Sequence, residues 1–295
     1  MIRPFVWLVP LYAAAAGAKN AAYNRGWSQP QYLDWPVVSV GNLSVGGSGK
    51  TPLVIRLAQL LSAENVPVDV LSRGYGRSDS QAEQVHADGD ASLYGDEPLL
   101  IARSAAVPVY VGASRYEAGL LAEQNASVPG IHLLDDGFQH RKLARDLDIV
   151  VLHRDDLQDM LLPAGTLREP LSSLHRADVI VLRAEDRELE AALRQRGITA
   201  AIWIQHRNLA VEPAPRAIAF CGIARPEEFF SALRSKGVEP TATIVFRDHQ
   251  RYSMSELNRL TAALQHHKAQ SWITTEKDEA RLTPAQRTLL EKIAP

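Results

Sequence analysis

Residues 38–61 read VSVGNLSVGGSGKTPLVIRLAQLL. An apolar run ends in a glycine-rich turn, and the turn opens onto apolar residues at helical spacing. In a strand, loop and helix of this kind the free backbone N–H groups of the first helical turn converge on one point, which favours an anion. The phosphate-loop pattern G-x-x-x-x-G-K-[ST] is met at Gly49, Lys50 and Thr51, but Ser44 stands where the first glycine belongs. The candidate nucleotide-binding residues are Ser44, Val45, Gly46, Gly47, Ser48, Gly49, Lys50 and Thr51. Lys50 can reach the β- and γ-phosphates, and the Thr51 hydroxyl can bind Mg²⁺. At this level a glycine-rich turn without a ligand stays open as the alternative.

The 295 residues suffice for one large or two ordinary domains, each with its own core. With 46% hydrophobic and 22% charged residues the chain belongs with soluble globular proteins, not with disordered or fibrous ones. A formal net charge of -2 gives no global basic signature for nucleic acid. The single cysteine, Cys221, lies in the apolar run AIAFCG, so it has no intramolecular disulfide partner and reads as a buried thiol.

Residues 4–18, PFVWLVPLYAAAAGA, carry no charge and are flanked by Arg3 on one side and by Lys19 and Arg25 on the other. A spanning helix needs roughly 18 to 20 apolar residues, more than this run offers. It reads as an interfacial helix with Trp7, Leu8, Leu11 and Tyr12 on its apolar side. A cleaved signal peptide and a helix packed on the protein's own core are the competing readings.

Further on, short apolar runs alternate with segments of helical period, which argues for βα units and a mainly parallel sheet. Strands are expected at 37–41, 66–72, 107–111, 131–135, 147–152, 178–183 and 199–205, and helices at 50–63, 97–105, 114–125 and 186–196. The proline-containing stretch 208–216 reads as a linker. After it come a strand at 217–221, a helix at 226–236, a strand at 241–246, a helix at 254–266, a strand at 271–275 and a helix at 276–282. The fold class is therefore α/β: a phosphate-loop, mainly parallel sheet flanked by helices, a second smaller α/β domain, and an apolar N-terminal helix. The expected regions are 1–30, 31–210 and 211–295, and a cleft between domains is a usual place for a ligand.

In IHLLDDGFQH, residues 131–140, Asp135 and Asp136 end an apolar strand at the edge where the phosphate loop opens, so either can serve a metal. The alternative is an Asp-Gly hairpin turn. Asp96, in YGDEP, suits a helix N-cap; facing a γ-phosphate it would instead orient and deprotonate an attacking hydroxyl. Arg73 and Arg77 in SRGYGR, and Arg168 in GTLREP, can clamp phosphate, although exposed loops need no ligand to explain them. Near the C-terminus, Ser253 with Glu256 and Thr275 with Asp278 have capping spacing, and Asp248 and His249 lie just before the first pair. Lys277 is then set near a helix N-terminus, a poor place for a cation unless an anion is at hand.

Taken in order, GNLSVGGSGKTP, SRGYGR, GDEP, LLDDGFQH, LLPAGTLREP, DH and TEKD resemble the tetraacyldisaccharide 4'-kinase family over nearly the whole chain. The resemblance implies ATP- and Mg²⁺-dependent phosphorylation of an acylated disaccharide 1-phosphate lipid at its 4'-hydroxyl, in lipid A biosynthesis. It further implies peripheral association with the cytoplasmic face of the bacterial inner membrane, and no nucleic-acid partner. By resemblance, Lys50 and Thr51 hold phosphates and Mg²⁺, Asp135 and Asp136 form the metal side, and Asp96 is the general base assisted by His249. Arg73, Arg77 and Arg168 contact phosphate groups, and Ser44 becomes a family variant in which Gly46 and Gly47 supply the flexible turn. A kinase or NTPase for a soluble metabolite, and a nucleotide-dependent switch protein, are the rival readings.

Overall fold

The computed structural model describes residues 5–77, 79–206, 209–211 and 216–293. Arg3 and most of the expected linker at 208–216 lie outside the described residues. The strands are β1 (Val37–Asn42), β2 (Val68–Ser72), β3 (Glu83–Gln84), β4 (Val109–Val111), β5 (Ile131–Asp135), β6 (Leu147–Val151), β7 (Val179–Arg183), β8 (Ala201–Gln205), β9 (Ala217–Cys221), β10 (Ala242–Val245) and β11 (Ser271–Thr274). The helices are α1 (Val9–Asn24), α2 (Lys50–Ala63), α3 (Ala91–Tyr94), α4 (Asp96–Ala105), α5 (Arg115–Asn125), α6 (Leu189–Gln195), α7 (Pro226–Ser235), α8 (Met254–His267), α9 (Glu276–Arg281) and α10 (Pro284–Ile293). Of these, β3, α3 and α10 are not expected from the sequence pattern; two are too short to show a period.

The chain divides into two compact units. The first comprises Met1–Gly74, Asp79–His86 and Ile101–Arg207; the second comprises Tyr75–Ser78, Ala87–Leu100 and Asn208–Pro295. Asp96 therefore falls in the unit that holds His249, not in the one that holds Lys50.

The first unit is built on an eight-stranded sheet in the order β3-β4-β2-β5-β1-β6-β7-β8, in which β3 alone runs antiparallel to its neighbour. β1 lies between β5 and β6, parallel to both. Parallel strands need crossovers, so the Asp-Gly sequence after β5 cannot be a hairpin turn. The reversal of strand order beside β1 makes a crevice at the carboxyl ends of the strands, where ligands bind in such sheets. Buried Leu43, Phe138, Val150, Leu152, Ile180 and Leu182 form part of the core. Gly41 is obligatory here, because a Cβ would stand 2.5 Å from the Cβ of Phe138.

Within the same unit His132 of β5 is fully buried, with Nδ1 2.8 Å from an oxygen of Asp69 on β2 and Nε2 3.4 Å from Oε1 of Glu123 on α5. Oε1 of Glu123 also accepts the backbone N–H groups of Asp34 and Trp35 at 2.8 and 2.9 Å, and the Trp35 ring stacks on His132 at 5.0 Å. Burial pushes the imidazole pKa down, but the two carboxylates more than offset this and raise it.

In α1 no residue is buried, which removes the reading of a core helix. Trp7 is 76% and Leu11 69% exposed, whereas the Tyr12 hydroxyl donates to the Arg168 carbonyl at 3.0 Å. Tyr12 thus leaves the outward apolar set and ties the helix to the phosphate-loop unit, as do Lys19 to the Gln139 carbonyl and Asn20 to Glu169. No helix among the described residues is long and apolar enough to cross a membrane.

In the second unit a three-stranded parallel sheet is ordered β10-β9-β11. Phe220 on β9 meets Phe246, Tyr252 and Trp272 edge to face, with ring centroids 5.8 to 6.3 Å apart. Cys221 is fully buried, and burial with the nearby Asp278 carboxylate pushes its thiol up to about 12, so it stays protonated.

Candidate active site

The strand β1 ends at Asn42, and the following loop is held by the segment 166–168: Val45 N–H donates to the Thr166 carbonyl at 2.8 Å, and Arg168 N–H to the Leu43 carbonyl at 2.7 Å. Ser44, 2% exposed, forms an antiparallel bridge with Leu167. Backbone so extended does not need glycine, which is why Ser44 is tolerated at the place where the pattern asks for Gly. The left-handed turns fall on Gly46 (φ 102) and Gly49 (φ 90). Of the expected pair 46 and 47, Gly46 takes the left-handed conformation, and Gly49 shares it. Gly49 is the residue before α2, and Lys50 and Thr51 open that helix.

Lys50 Nζ reaches Oδ1 of Asn42 at 2.9 Å and Oδ1 of Asp136 at 3.3 Å. Arg168 grips Asp136 bidentately, 2.8 Å to each carboxylate oxygen, and also donates to Oδ1 of Asn42. Partial desolvation pushes the Asp136 carboxyl up, but the Arg168 hydrogen bonds and the Lys50 charge dominate and hold it well below the usual carboxylate range. Asp136 sits at φ 52, a left-handed conformation uncommon outside glycine and found where a site over-determines the backbone. Asp135 lies in register with Val40 of β1 and accepts the Ser72 hydroxyl at 3.1 Å.

Behind these groups, Arg115, the first residue of α5, is 5% exposed. Burial and the charge of Arg73 lower its pKa to about 10, partly countered by Asp136 and Asp135. His140 is pushed down to about 3 by burial and by Arg115, Arg145, Lys19 and Lys142. A neutral imidazole among cations marks a strongly positive corner beside the two aspartates.

The second unit contains a separate constellation. Asp96 is the first residue of α4, and its neighbour Gly95 accepts the Leu99 N–H, so the aspartate is not the cap. Its Oδ2 lies 2.9 Å from Nδ1 of His249 and accepts Nε–H of Arg281 at 2.8 Å; among the described residues Oδ1 takes only the Glu97 N–H, at 3.1 Å. Burial pushes this carboxyl up, and the His249 hydrogen bond with the charges of Lys277 and Arg281 more than reverses that, leaving it ionised far below the usual range. His249 sits at φ 57 in the left-handed region, and its ring lies 5.7 Å from that of Tyr75. Lys277 finds its anion in Glu97, 2.9 Å away, and approaches Nε2 of His249 at 3.4 Å. A cavity of about 360 Å³ opens here, lined among others by Tyr75, Asp96, His249, Arg251 and Tyr252. Both capping pairs form: Ser253 with Glu256 in a reciprocal box, and Thr275 with Asp278.

Residues 1–293 match the family described as tetraacyldisaccharide-1-P 4'-kinase, LpxK. The chain belongs to that family. It is 43% identical over 299 residues to the tetraacyldisaccharide 4'-kinase of Koribacter versatilis, a match covering 98% of this chain and 90% of that one. To the tetraacyldisaccharide 4'-kinase of Geobacter metallireducens it is 40% identical, over 92% of this chain and 86% of the other. Among solved structures it superposes on LpxK from Aquifex aeolicus, a protein crystallised in complex with ATP, with a TM-score of 0.77 and 35% identity over 96% and 91% of the two chains.

Of the residues expected in the 4'-kinase site, Lys50, Asp136 and Arg168 meet in the first unit, and Asp96 meets His249 in the second. Arg73 is exposed in the first unit and contributes through its charge on Arg115; Arg77 belongs to the second. Sequence reasoning missed Asn42, Arg115 and Arg281. Asn42 was visible as a polar residue closing an apolar strand, and Arg281 as a cation three residues after Asp278 on one short helix.

Proposed function

We propose that this chain is an ATP-dependent kinase that transfers the γ-phosphoryl group to the 4'-hydroxyl of a tetraacyldisaccharide 1-phosphate, a step of lipid A biosynthesis. The observation that carries the reading is the meeting of Lys50, Asn42, Asp136 and Arg168 at the mouth of the phosphate loop, in a chain of the 4'-kinase family. In the transfer, the bond from the γ-phosphorus to the bridging oxygen of ADP breaks as the 4'-oxygen bonds to phosphorus. Asp96 takes the hydroxyl proton through its less encumbered Oδ1, and His249 holds Oδ2. Such a transfer needs alignment and charge neutralisation more than a strong base, so a carboxylate of low pKa suffices.

The loop residues Ser44 to Thr51 would cradle the phosphates with their N–H groups, with Lys50 on the β- and γ-oxygens. Arg168, and Arg73 and Arg77 in their loops, would contact phosphate groups. The Thr51 hydroxyl and the Asp135 carboxylate are hard oxygen donors that would hold Mg²⁺, an ion usually held by one or two carboxylates and the nucleotide itself, and Asp136 would join them once Arg168, which grips both its oxygens, turns to phosphate. When bound, Mg²⁺ neutralises phosphate charge.

An acylated acceptor places the enzyme at a bilayer. The outward Trp7 and Leu11, with Phe5 and Trp27 also exposed, support residues 1–30 as a peripheral docking element at the cytoplasmic face of the inner membrane. The reading is tested by following ADP release with ATP and Mg²⁺, with and without the acylated disaccharide 1-phosphate. Release should depend on the lipid and fall about a hundred- to a thousandfold in Lys50→Ala. Equal release without the lipid, or with a soluble sugar in its place, would point to one of the rival activities.

A further inference from the structure

Arg281 is 4% exposed at its side chain and lies at the end of α9, the helix that also carries Lys277. Two of its three nitrogens are directed by hydrogen bonds, and Nη2 lies 3.9 Å from Oδ1 of Asp248. Nη1 donates to the Gly222 carbonyl at 2.6 Å and to Oδ1 of Asp278 at 2.9 Å, while Nε donates to Oδ2 of Asp96 at 2.8 Å. The anchor is itself built: Oδ1 of Asp278 accepts the Tyr252 hydroxyl at 2.8 Å and the Gly222 N–H at 2.9 Å, and Oδ2 accepts the Thr275 hydroxyl at 2.6 Å. Gly222 can carry no side chain without disturbing this, since its Cβ would stand 2.9 Å from the Arg247 carbonyl, 3.1 Å from Asp278 and 3.3 Å from Arg281.

We infer that Arg281 is a positioning residue for phosphoryl transfer: fixed by Asp278 and Gly222, it clamps Oδ2 of Asp96 so that Oδ1 faces the acceptor hydroxyl. The inference rests on Asp96 being the base. The charged groups facing Asp96 are Glu97 on its own helix, Asp248 and His249 from the loop before α8, and Lys277, Asp278 and Arg281 from α9. Asp278 is engaged by Arg281, and Lys277 by Glu97, so among the described residues Arg281 and His249 are the side chains in direct contact with the carboxylate. A guanidinium suits the task better than an ammonium because one rigid plane serves three acceptors at once.

The test is the pH dependence of kcat for the full chain and its Arg281→Gln, Arg281→Lys and Asp96→Asn variants, with KM for ATP and circular dichroism in parallel. In Arg281→Gln the acidic limb of kcat should move up by about one pH unit or more, because a nearby positive charge has been removed. Its plateau should fall about tenfold, with KM for ATP within twofold. Arg281→Lys should keep the limb near the wild-type position while the plateau still falls. A merely structural residue would lower kcat by one factor at every pH and leave the limb in place in both variants; that outcome, or wild-type kcat, overturns the proposal. Should Arg281→Gln not fold, Arg281→Met takes its place with the limb as the readout: an acidic limb displaced upward supports the clamp, and a limb left in place refutes it. Activity retained in Asp96→Asn would instead remove the base assignment, a failure distinguishable from that of Arg281.

Discussion

Asn42 accepts hydrogen bonds from Lys50 and Arg168 on one amide oxygen, and its nitrogen donates to the Ser44 carbonyl at 2.8 Å. It therefore fixes the loop and both cations together, although it carries no charge itself. Asn42→Ala should leave two cations facing each other with only Asp136 between them, so kcat/KM for ATP should fall about ten- to a hundredfold. Steady-state kinetics with varied ATP check this, and an unchanged value would make Asn42 a loop support only. Lys50 and Thr51 were marked in the sequence by the spacing of the loop pattern, and the aspartate pair by its place at the end of an apolar strand. Asn42 was visible only as a polar residue closing a strand; its role was not, since that comes from Arg168, which lies over a hundred residues away in the chain. Likewise the capping geometry that made Asp96 look ordinary is local, whereas its partners His249 and Arg281 come from distant segments.

At the scale of elements, most strands and helices were readable because strands buried on both faces are nearly continuous apolar runs. The order of strands was not, because nothing in the sequence says that β1 inserts between β5 and β6; the Asp-Gly turn signal even suggested the contrary. The clasp of Asp69, His132 and Glu123 joins β2, β5 and α5 and holds the segment 34–35 ahead of β1. Because the folded imidazole pKa is raised, its charged form stabilises the fold fully below the unfolded value of roughly 6.5, and this contribution is lost as pH rises through the folded pKa. His132→Gln should therefore lower Tm most near pH 6, with the gap to wild type narrowing toward pH 9. Thermal unfolding followed at both pH values checks it; a gap that does not change with pH would show that the pair contributes through packing alone.

At the scale of the molecule, α1 is joined to the first unit by polar contacts from Tyr12, Lys19 and Asn20 while Trp7 and Leu11 face outward. A helix without a buried residue is not explained by the core, and the length of its apolar stretch had already set aside a spanning role. Trp7→Glu with Leu11→Glu should abolish sedimentation with anionic phospholipid vesicles and raise KM for the lipid acceptor, while KM for ATP stays within twofold. Undiminished vesicle binding would leave these two side chains outside the docking surface.

The central claim is that the phosphate leaving ATP arrives on the 4'-oxygen of the acylated disaccharide. It is tested most directly by incubating the full chain with γ-labelled ATP, Mg²⁺ and tetraacyldisaccharide 1-phosphate, then extracting the lipid and locating the label. We expect one labelled lipid carrying a new phosphomonoester at the 4' position, absent with Asp96→Asn. Release of labelled inorganic phosphate with no labelled lipid would contradict the claim.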